Sequence, residues 1–206
     1  MEPLEALILD FGEVLTWPQR VESVDAMARA AGVLVEPLRT AYWRHREGYD
    51  GGALTAEAYW RRVLTAVGRP SAVVGETVGQ LIALDVQSWT RYREEMWDLA
   101  RDARAAGLRT AILSNCPPEL LAYLRADRGP ARTFDAVVAS CEVGCNKPDR
   151  RIYEACLVRL GVAPARALFV DDRAENLKGA AALGLRTLHF AGSDPVGEVR
   201  GRLEGG

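Results

Sequence analysis

Five short apolar runs limit the fold of this chain more than any other feature: ALIL at 6–9, TAIL at 110–113, AVVA at 136–139, ALFV at 167–170 and RTLHF at 186–190. They lack polar alternation, which is the pattern of strands buried on both faces. From the second run onward helical patterns separate them. YREEMWDLARDARAAG places Met96, Leu99 and Ala103 at helical spacing and ends at Gly107; PPELLAYLRA opens on prolines; DRRIYEACLVRLG stops at Gly161 and AENLKGAAALG at Gly184. Proline inside the start and glycine past the end are the usual asymmetry of helix termini. Strands alternating with helices imply an α/β fold, a Rossmann-like parallel sheet with helices on both faces.

Residues 17–90 break this rhythm, with helical patterns and no convincing strand. VESVDAMARAAG is expected to form a helix closed by Gly32, EPLRTAYWRHREGYDGG one ending in a glycine pair, TAEAYWRRVLTAVG one capped by Thr55, and a last pattern covers about 74–88. The expected organisation is an α/β core from 1–16 and 91–206, with 17–90 inserted as an all-helical cap over the mouth of the sheet. Packing of these helices on the flank is the alternative. The tail GSDPVGEVRGRLEGG is expected to fray.

The charged residues, 26% of the chain, are interspersed and sum to a formal charge of −2, so no basic face for nucleic acid or anionic lipid is visible. No apolar run approaches the roughly 20 residues of a membrane helix, and MEPLEALILD is acidic where a secretory signal would be basic. The expectation is a cytoplasmic protein, monomer or homodimer, acting on a small molecule. Cys141 and Cys145 form a C-x3-C pair, but no second Cys or His pair has zinc spacing, so reduced thiols are expected.

In an open parallel sheet, ligands bind beyond the carboxyl ends of the strands. The first run there delivers Asp10, the second Ser114 and Asn115, the loop after the third Lys147, and the fourth Asp171 and Asp172. Each has a structural alternative: a strand-ending turn, an N-cap for the Pro-Pro helix, a solvated turn, or a helix start. Their coincidence at one edge favours a site. Clustered carboxylates repel one another unless a cation joins them, and Mg2+ takes hard oxygen ligands, a role Asp10 and Asp172 fit. Ser114 and Asn115 can bind phosphate oxygens, and Lys147 adds a point charge.

At this point the residues match a family. LILDFGEVLT, AILSN, CNKPDRRIY and LFVDDRAENLKGA resemble, in order, the four motifs of the haloacid dehalogenase superfamily. The likeness covers nearly the whole chain and is similar to capped members such as the N-terminal phosphatase domain of soluble epoxide hydrolase and bacterial sugar-phosphate phosphatases. The resemblance implies a five-strand core with the first strand central, Mg2+ as cofactor and Asp10 as a nucleophile that is phosphorylated and then hydrolysed. It further implies that the Gly12 carbonyl and Asp172 bind the metal, that Asp171 bonds Lys147 or metal-bound water, that Ser114, Asn115 and Lys147 hold the phosphate, and that Asn176 supports the metal's surroundings.

One position departs from the pattern. Most phosphatases of the family carry an aspartate two residues after the nucleophile as general acid and base; here it is Gly12, with Glu13 the nearest replacement. Such assistance is worth about 10^2 to 10^4-fold, so its absence implies slower ester cleavage without loss of nucleophilic attack. The expected activity is therefore Mg2+-dependent hydrolysis of a small phosphate ester. The alternatives are a phosphate-binding regulatory protein with little turnover and a metal-free 2-haloacid dehalogenase. In the cap, YWRHR and YWRRV read either as cap core and solvated surface or as substrate contacts, with Arg44 and His45 the candidates.

Overall fold

The computed structural model describes residues 2–69, 74–126 and 130–205. Residues 70–73 of the expected helical unit and Gly206 of the tail lie outside them. Five strands, β1 Ala6–Leu9, β2 Arg109–Ser114, β3 Ala136–Ala139, β4 Ala167–Asp171 and β5 Arg186–His189, form one parallel sheet in the order β3-β2-β1-β4-β5. The first strand is central, with Ile8 opposite Ala111 on one side and Phe169 on the other.

Among the described residues, ten α-helices flank or precede the strands: α1 Val21–Ala31, α2 Val35–Asp50, α3 Ala56–Ala66, α4 Val74–Ser88, α5 Glu94–Ala105, α6 Pro118–Arg125, α7 Ser140–Val143, α8 Arg150–Leu160, α9 Ala174–Ala181 and α10 Pro195–Glu204. Leu7 and Leu9 pack into one layer with Met96 and Trp97 of α5, Leu121 of α6 and Val199 of α10. Ala6 and Ile8 face the other, with Ile152 and Tyr153 of α8 and Leu177 of α9. Both faces of β1 are thus dry, which explains its unbroken apolar run. None of these helices, among the described residues, is long and apolar enough to cross a membrane.

The frayed tail is a correction. Residues Pro195–Glu204 are helical, the Asp194 carboxylate accepts from the Gly197 N–H at 2.9 Å, and Val199 is fully buried. One apolar anchor and one cap are too sparse to register as periodicity.

Helices α1 to α4 share a core of their own, built on Met27, Leu38, Tyr49, Tyr59, Trp60 and Leu81. Thr55 caps α3, accepting from the Ala58 N–H, and Gly32 ends α1 in the left-handed conformation. Inside this unit Arg46 donates to Asp50 at 2.7 Å and to Asp85 at 2.8 Å, and the Tyr42 hydroxyl donates to the other Asp85 oxygen at 2.7 Å. The end of α2 rests on the carboxyl edge of the sheet. Asn146 donates to the Glu47 carbonyl at 2.9 Å, Tyr49 to Glu119 at 2.7 Å, and the Ser140 hydroxyl to the Asp50 carbonyl. Gly52 belongs to this junction: its φ is 76°, and a Cβ there would stand 2.7 Å from the Cys141 carbonyl oxygen. Unit and core are also joined where the chain leaves and returns, through a bridge between Thr16 and Tyr92.

Arg46 is the only cation paired with both Asp50 and Asp85 among the described ion pairs. Arg46→Ala is therefore expected to cost about 3–5 kcal/mol in urea denaturation, because it strands buried carboxylates. Arg61→Ala, which breaks an exposed pair with Glu57, should cost about 0.5 kcal/mol or less.

Candidate active site

The central strand ends by placing Asp10 at the carboxyl edge, where its N–H still donates to the Val170 carbonyl at 3.0 Å. A single tight turn, Phe11–Leu15, follows, closed by the Thr16 N–H on the Phe11 carbonyl at 3.1 Å. One Asp10 oxygen accepts from the Phe11 N–H at 2.7 Å, which turns the carboxylate toward the mouth of the sheet. Gly12 has φ −64° and ψ 133°, values open to any residue, so backbone conformation does not demand glycine there. A Cβ would meet only the Trp89 ring, at 3.5 Å. The strained position is Glu13, with φ 59°, a conformation that costs a non-glycine residue about 1 kcal/mol or more.

Lys147 joins three strand ends. Its ammonium lies 2.8 Å from Asp10 after β1 and 2.7 Å from Asp171 at the end of β4, and donates to the Leu113 carbonyl of β2 at 2.9 Å. Those three oxygens match its three N–H groups. Asn115 holds the lysine's backbone from both sides, accepting from the Lys147 N–H at 2.7 Å and donating to its carbonyl at 3.1 Å. The Asn115 side chain therefore positions Lys147, a role its expected phosphate contact did not foresee. Among the described residues the Ser114 hydroxyl has no hydrogen-bond partner, and Ser114 lines the cavity.

Both oxygens of Asp171 are engaged: Lys147 binds one, the Arg173 N–H the other at 2.8 Å, and the Asn176 amide reaches both at 3.0 and 3.1 Å. Asn176 thus acts on Asp171 directly. Asp172 is different: among the described residues no other residue donates to its carboxylate, which meets only its own backbone N–H, while its backbone carbonyl meets His189 at 2.8 Å.

Oxygens of Asp10, Asp171 and Asp172 lie within 4.8 Å of one another. Three carboxylates face one ammonium, leaving two negative charges uncompensated. Burial, only partly offset by Lys147, pushes Asp10 up to about 7, with Asp171 adding to the rise. Burial and the neighbouring Asp171 push Asp172 up to about 6. For Lys147 burial opposes the charge, but Asp10 and Asp171 outweigh it and hold the ammonium above its usual range. This donor set fits a hard divalent cation such as Mg2+, because the second oxygen of Asp10 and both oxygens of Asp172 still have lone pairs to offer.

A cavity of about 620 Å3 opens over these groups. From the core it is lined by Asp10, Gly12, Ser114, Lys147, Asp172 and Asn176, and from α2 by Trp43, Arg46, Glu47 and Asp50, with Trp89 beside them. Arg44 and His45 line a more open cleft with Arg62 and Arg151, which shares Glu47, Asn146, Lys147 and Pro148 with the catalytic cavity. On helix α2 the face toward Asp10 carries positions 43, 46, 47 and 50. That spacing of three and four was present in the sequence and would have identified the inward face. Tyr42, Tyr59 and Trp60, by contrast, are buried in the core of the helical unit.

The model of the family described as haloacid dehalogenase-like hydrolase matches residues 4–184. Among curated proteins, a sesquiterpene phosphatase of Aspergillus oryzae is 26% identical over 190 residues, covering 92% of this chain and 91% of that protein. Acyl-CoA dehydrogenase family member 10 of Mus musculus is 35% identical over 144 residues, 66% of this chain, which span only 13% of its length. A HAD family enzyme of Bacteroides thetaiotaomicron, solved with magnesium and inorganic phosphate, superposes with a TM-score of 0.69 at 20% identity, covering 90% of this chain and 93% of its own. An L-2-haloacid dehalogenase of Xanthobacter autotrophicus gives 0.69 at 21% identity, covering 98% and 83%.

The charge imbalance has a measurable consequence. Asp172 holds its proton more tightly folded than unfolded, so its ionisation destabilises the fold progressively as pH rises from about 4 to above 6. In chelator-treated buffer Asp172→Asn is expected to be more stable than the native chain, by roughly 1 kcal/mol at pH 8 after allowance for partial exposure, and by less at pH 5. Equal or lower stability of the variant at pH 8, read by urea denaturation, would contradict the uncompensated charge.

Proposed function

The chain belongs to the haloacid dehalogenase-like hydrolase family, and we propose that it is a magnesium-dependent phosphatase that hydrolyses a small phosphate monoester through a phosphorylated Asp10. The observation that carries this reading is the ammonium of Lys147 held between Asp10 and Asp171 beside an Asp172 whose lone pairs are open. The phosphatase relative and the phosphate-bound structural neighbour support it.

In this reading Lys147 opposes the effect of burial on Asp10, so that the carboxylate ionises near neutral pH, and aims it. An Asp10 oxygen attacks phosphorus, the bond from phosphorus to the leaving oxygen breaks with its electron pair going to that oxygen, and the oxygen takes up a proton from solvent to leave as the alcohol, a proton that the water of the second step returns to solvent. Water then attacks the same phosphorus and returns the Asp10 carboxylate with release of phosphate. The Ser114 hydroxyl, unpartnered among the described residues, donates to a phosphoryl oxygen. Asp171, fixed by the Asn176 amide and the Arg173 N–H, holds the lysine in place. Asp10, Asp172 and the Gly12 carbonyl would hold Mg2+, which when bound supplies the charge that lets an anionic phosphoryl group approach a carboxylate. Helices α1 to α4 act as the cap that excludes water from the cavity.

A metal-independent dehalogenase reading draws support from Gly12 and from the dehalogenase neighbour. The open carboxylate of Asp172 in a cluster of net negative charge favours phosphate chemistry instead.

Hydrolysis of p-nitrophenyl phosphate is expected to require Mg2+, to stop with chelator, and to fall at least about 10^3-fold in Asp10→Asn, the scale of losing a positioned catalytic group. Turnover unaffected by that change, or halide release from 2-chloropropionate in the presence of chelator, would overturn the proposal. Mg2+ at about 100 times its Kd should add about 2.7 kcal/mol of stability, roughly 5–10 °C in Tm for a chain of this size, and the shift should be lost in Asp172→Asn. Gly12→Asp is expected to accelerate hydrolysis of alkyl esters, by about 10^2-fold at most, more than that of p-nitrophenyl phosphate, whose leaving group needs no proton.

A further inference from the structure

A second cavity, of about 270 Å3, lies beside the catalytic one. Glu13, Trp43 and Trp89 belong to the walls of both. The two indoles meet edge to face, centroids 6.5 Å apart and planes at 82°. Because Trp89 also stands 3.5 Å from where a Gly12 Cβ would be, this shared wall begins at van der Waals distance from the turn that carries the nucleophile. Beyond it the smaller cavity runs between α1 and α2, over Val21, Val24, Met27, Val35 and Leu38.

Most of its polar groups are already engaged, the exceptions among the described residues being the Trp89 indole N–H and the Glu13 carboxylate, both on the wall shared with the catalytic cavity. Arg39 pairs with Glu36 at 2.8 Å, the Tyr42 hydroxyl donates to Asp85 at 2.7 Å, and the Gln19 amide donates to Ser88 at 2.7 Å. No cation on these walls is left for a second anionic group, and Glu13 at the junction would repel one. A polyhydroxylated leaving group would find few open donors or acceptors there. At the rim, Val21 is 71% and Trp43 51% exposed, so apolar surface continues outward from the cavity.

We infer that this cavity receives the uncharged apolar portion of the substrate, so that the molecule hydrolysed is the phosphate monoester of an apolar alcohol. The inference rests on the phosphatase reading for the phosphate end. The indole pair forms the channel between the two ends: phosphate over Asp10, hydrocarbon between α1 and α2. Binding of the hydrocarbon then orients the ester oxygen toward Gly12, where this chain offers no carboxylate.

The test is calorimetric titration of the full chain, with Mg2+ present, by n-alkyl phosphonates from ethyl to octyl, which carry the phosphate-like head on a bond that is not hydrolysed. Affinity is expected to rise two- to about fourfold with each methylene that leaves water, then level off when the cavity is filled. Val24→Asp puts an acid in the cavity wall away from Asp10 and is expected to abolish the rise while inorganic phosphate binds as before. Trp43→Ala, at a half-exposed position, is expected to shrink the octyl-to-ethyl ratio and serves if the first variant does not fold. Equal affinity from ethyl to octyl in the native chain, or no binding at any length, overturns the inference. Hydrolysis of p-nitrophenyl phosphate reports separately on the phosphatase reading: turnover with flat affinities removes the apolar subsite alone, and rising affinities without turnover remove the phosphatase alone.

Discussion

The ammonium of Lys147, shared among Asp10, Asp171 and the Leu113 carbonyl, is the interaction on which the rest of the site depends. Each of its three partners comes from a different neighbouring strand of the sheet. A buried cation with all three donors matched is stable only if those strand ends converge, and parallel pairing around a central β1 brings them together. The acids, in turn, tolerate burial because the lysine is among them. What it does not neutralise is the remaining charge, which fits this edge for a divalent cation and a phosphoryl group rather than for an apolar ligand alone.

The helical unit supplies the opposite character. Its own core of Tyr49, Tyr59 and Trp60 makes α2 a firm platform, and Asn146, Ser140 and Glu119 tie that helix to the edge of the sheet. Residues on one face of α2 then look down on Asp10, while its first turns and α1 enclose an apolar space. Charge lies below and hydrocarbon above, with Trp43 and Trp89 between.

Much of this was legible in the amino-acid order. Strands buried on both faces announce themselves as unbroken apolar runs, and the residues after them, Asp10, Ser114 and Asp171, fall at one edge for topological reasons alone. What local pattern could not supply was the division of labour inside the cluster. Asp171 and Asp172 are adjacent and identical, yet β-strand alternation turns one into the protein, where four donated hydrogen bonds reach it, and leaves the other open. Asn115 holds a lysine backbone 32 positions away, a relation no window reveals. Helix α10 escapes local pattern because its cap and its single buried valine carry too little periodicity.

In the proposed reaction phosphate leaves in two displacements, the first made by Asp10. The stereochemistry at phosphorus tests it most directly, using a thiophosphate monoester made chiral with oxygen isotopes and hydrolysed in isotopically labelled water. Two in-line displacements give net retention of configuration, which is the predicted result. Net inversion would mean that water attacks the substrate directly, and would contradict the role assigned to Asp10.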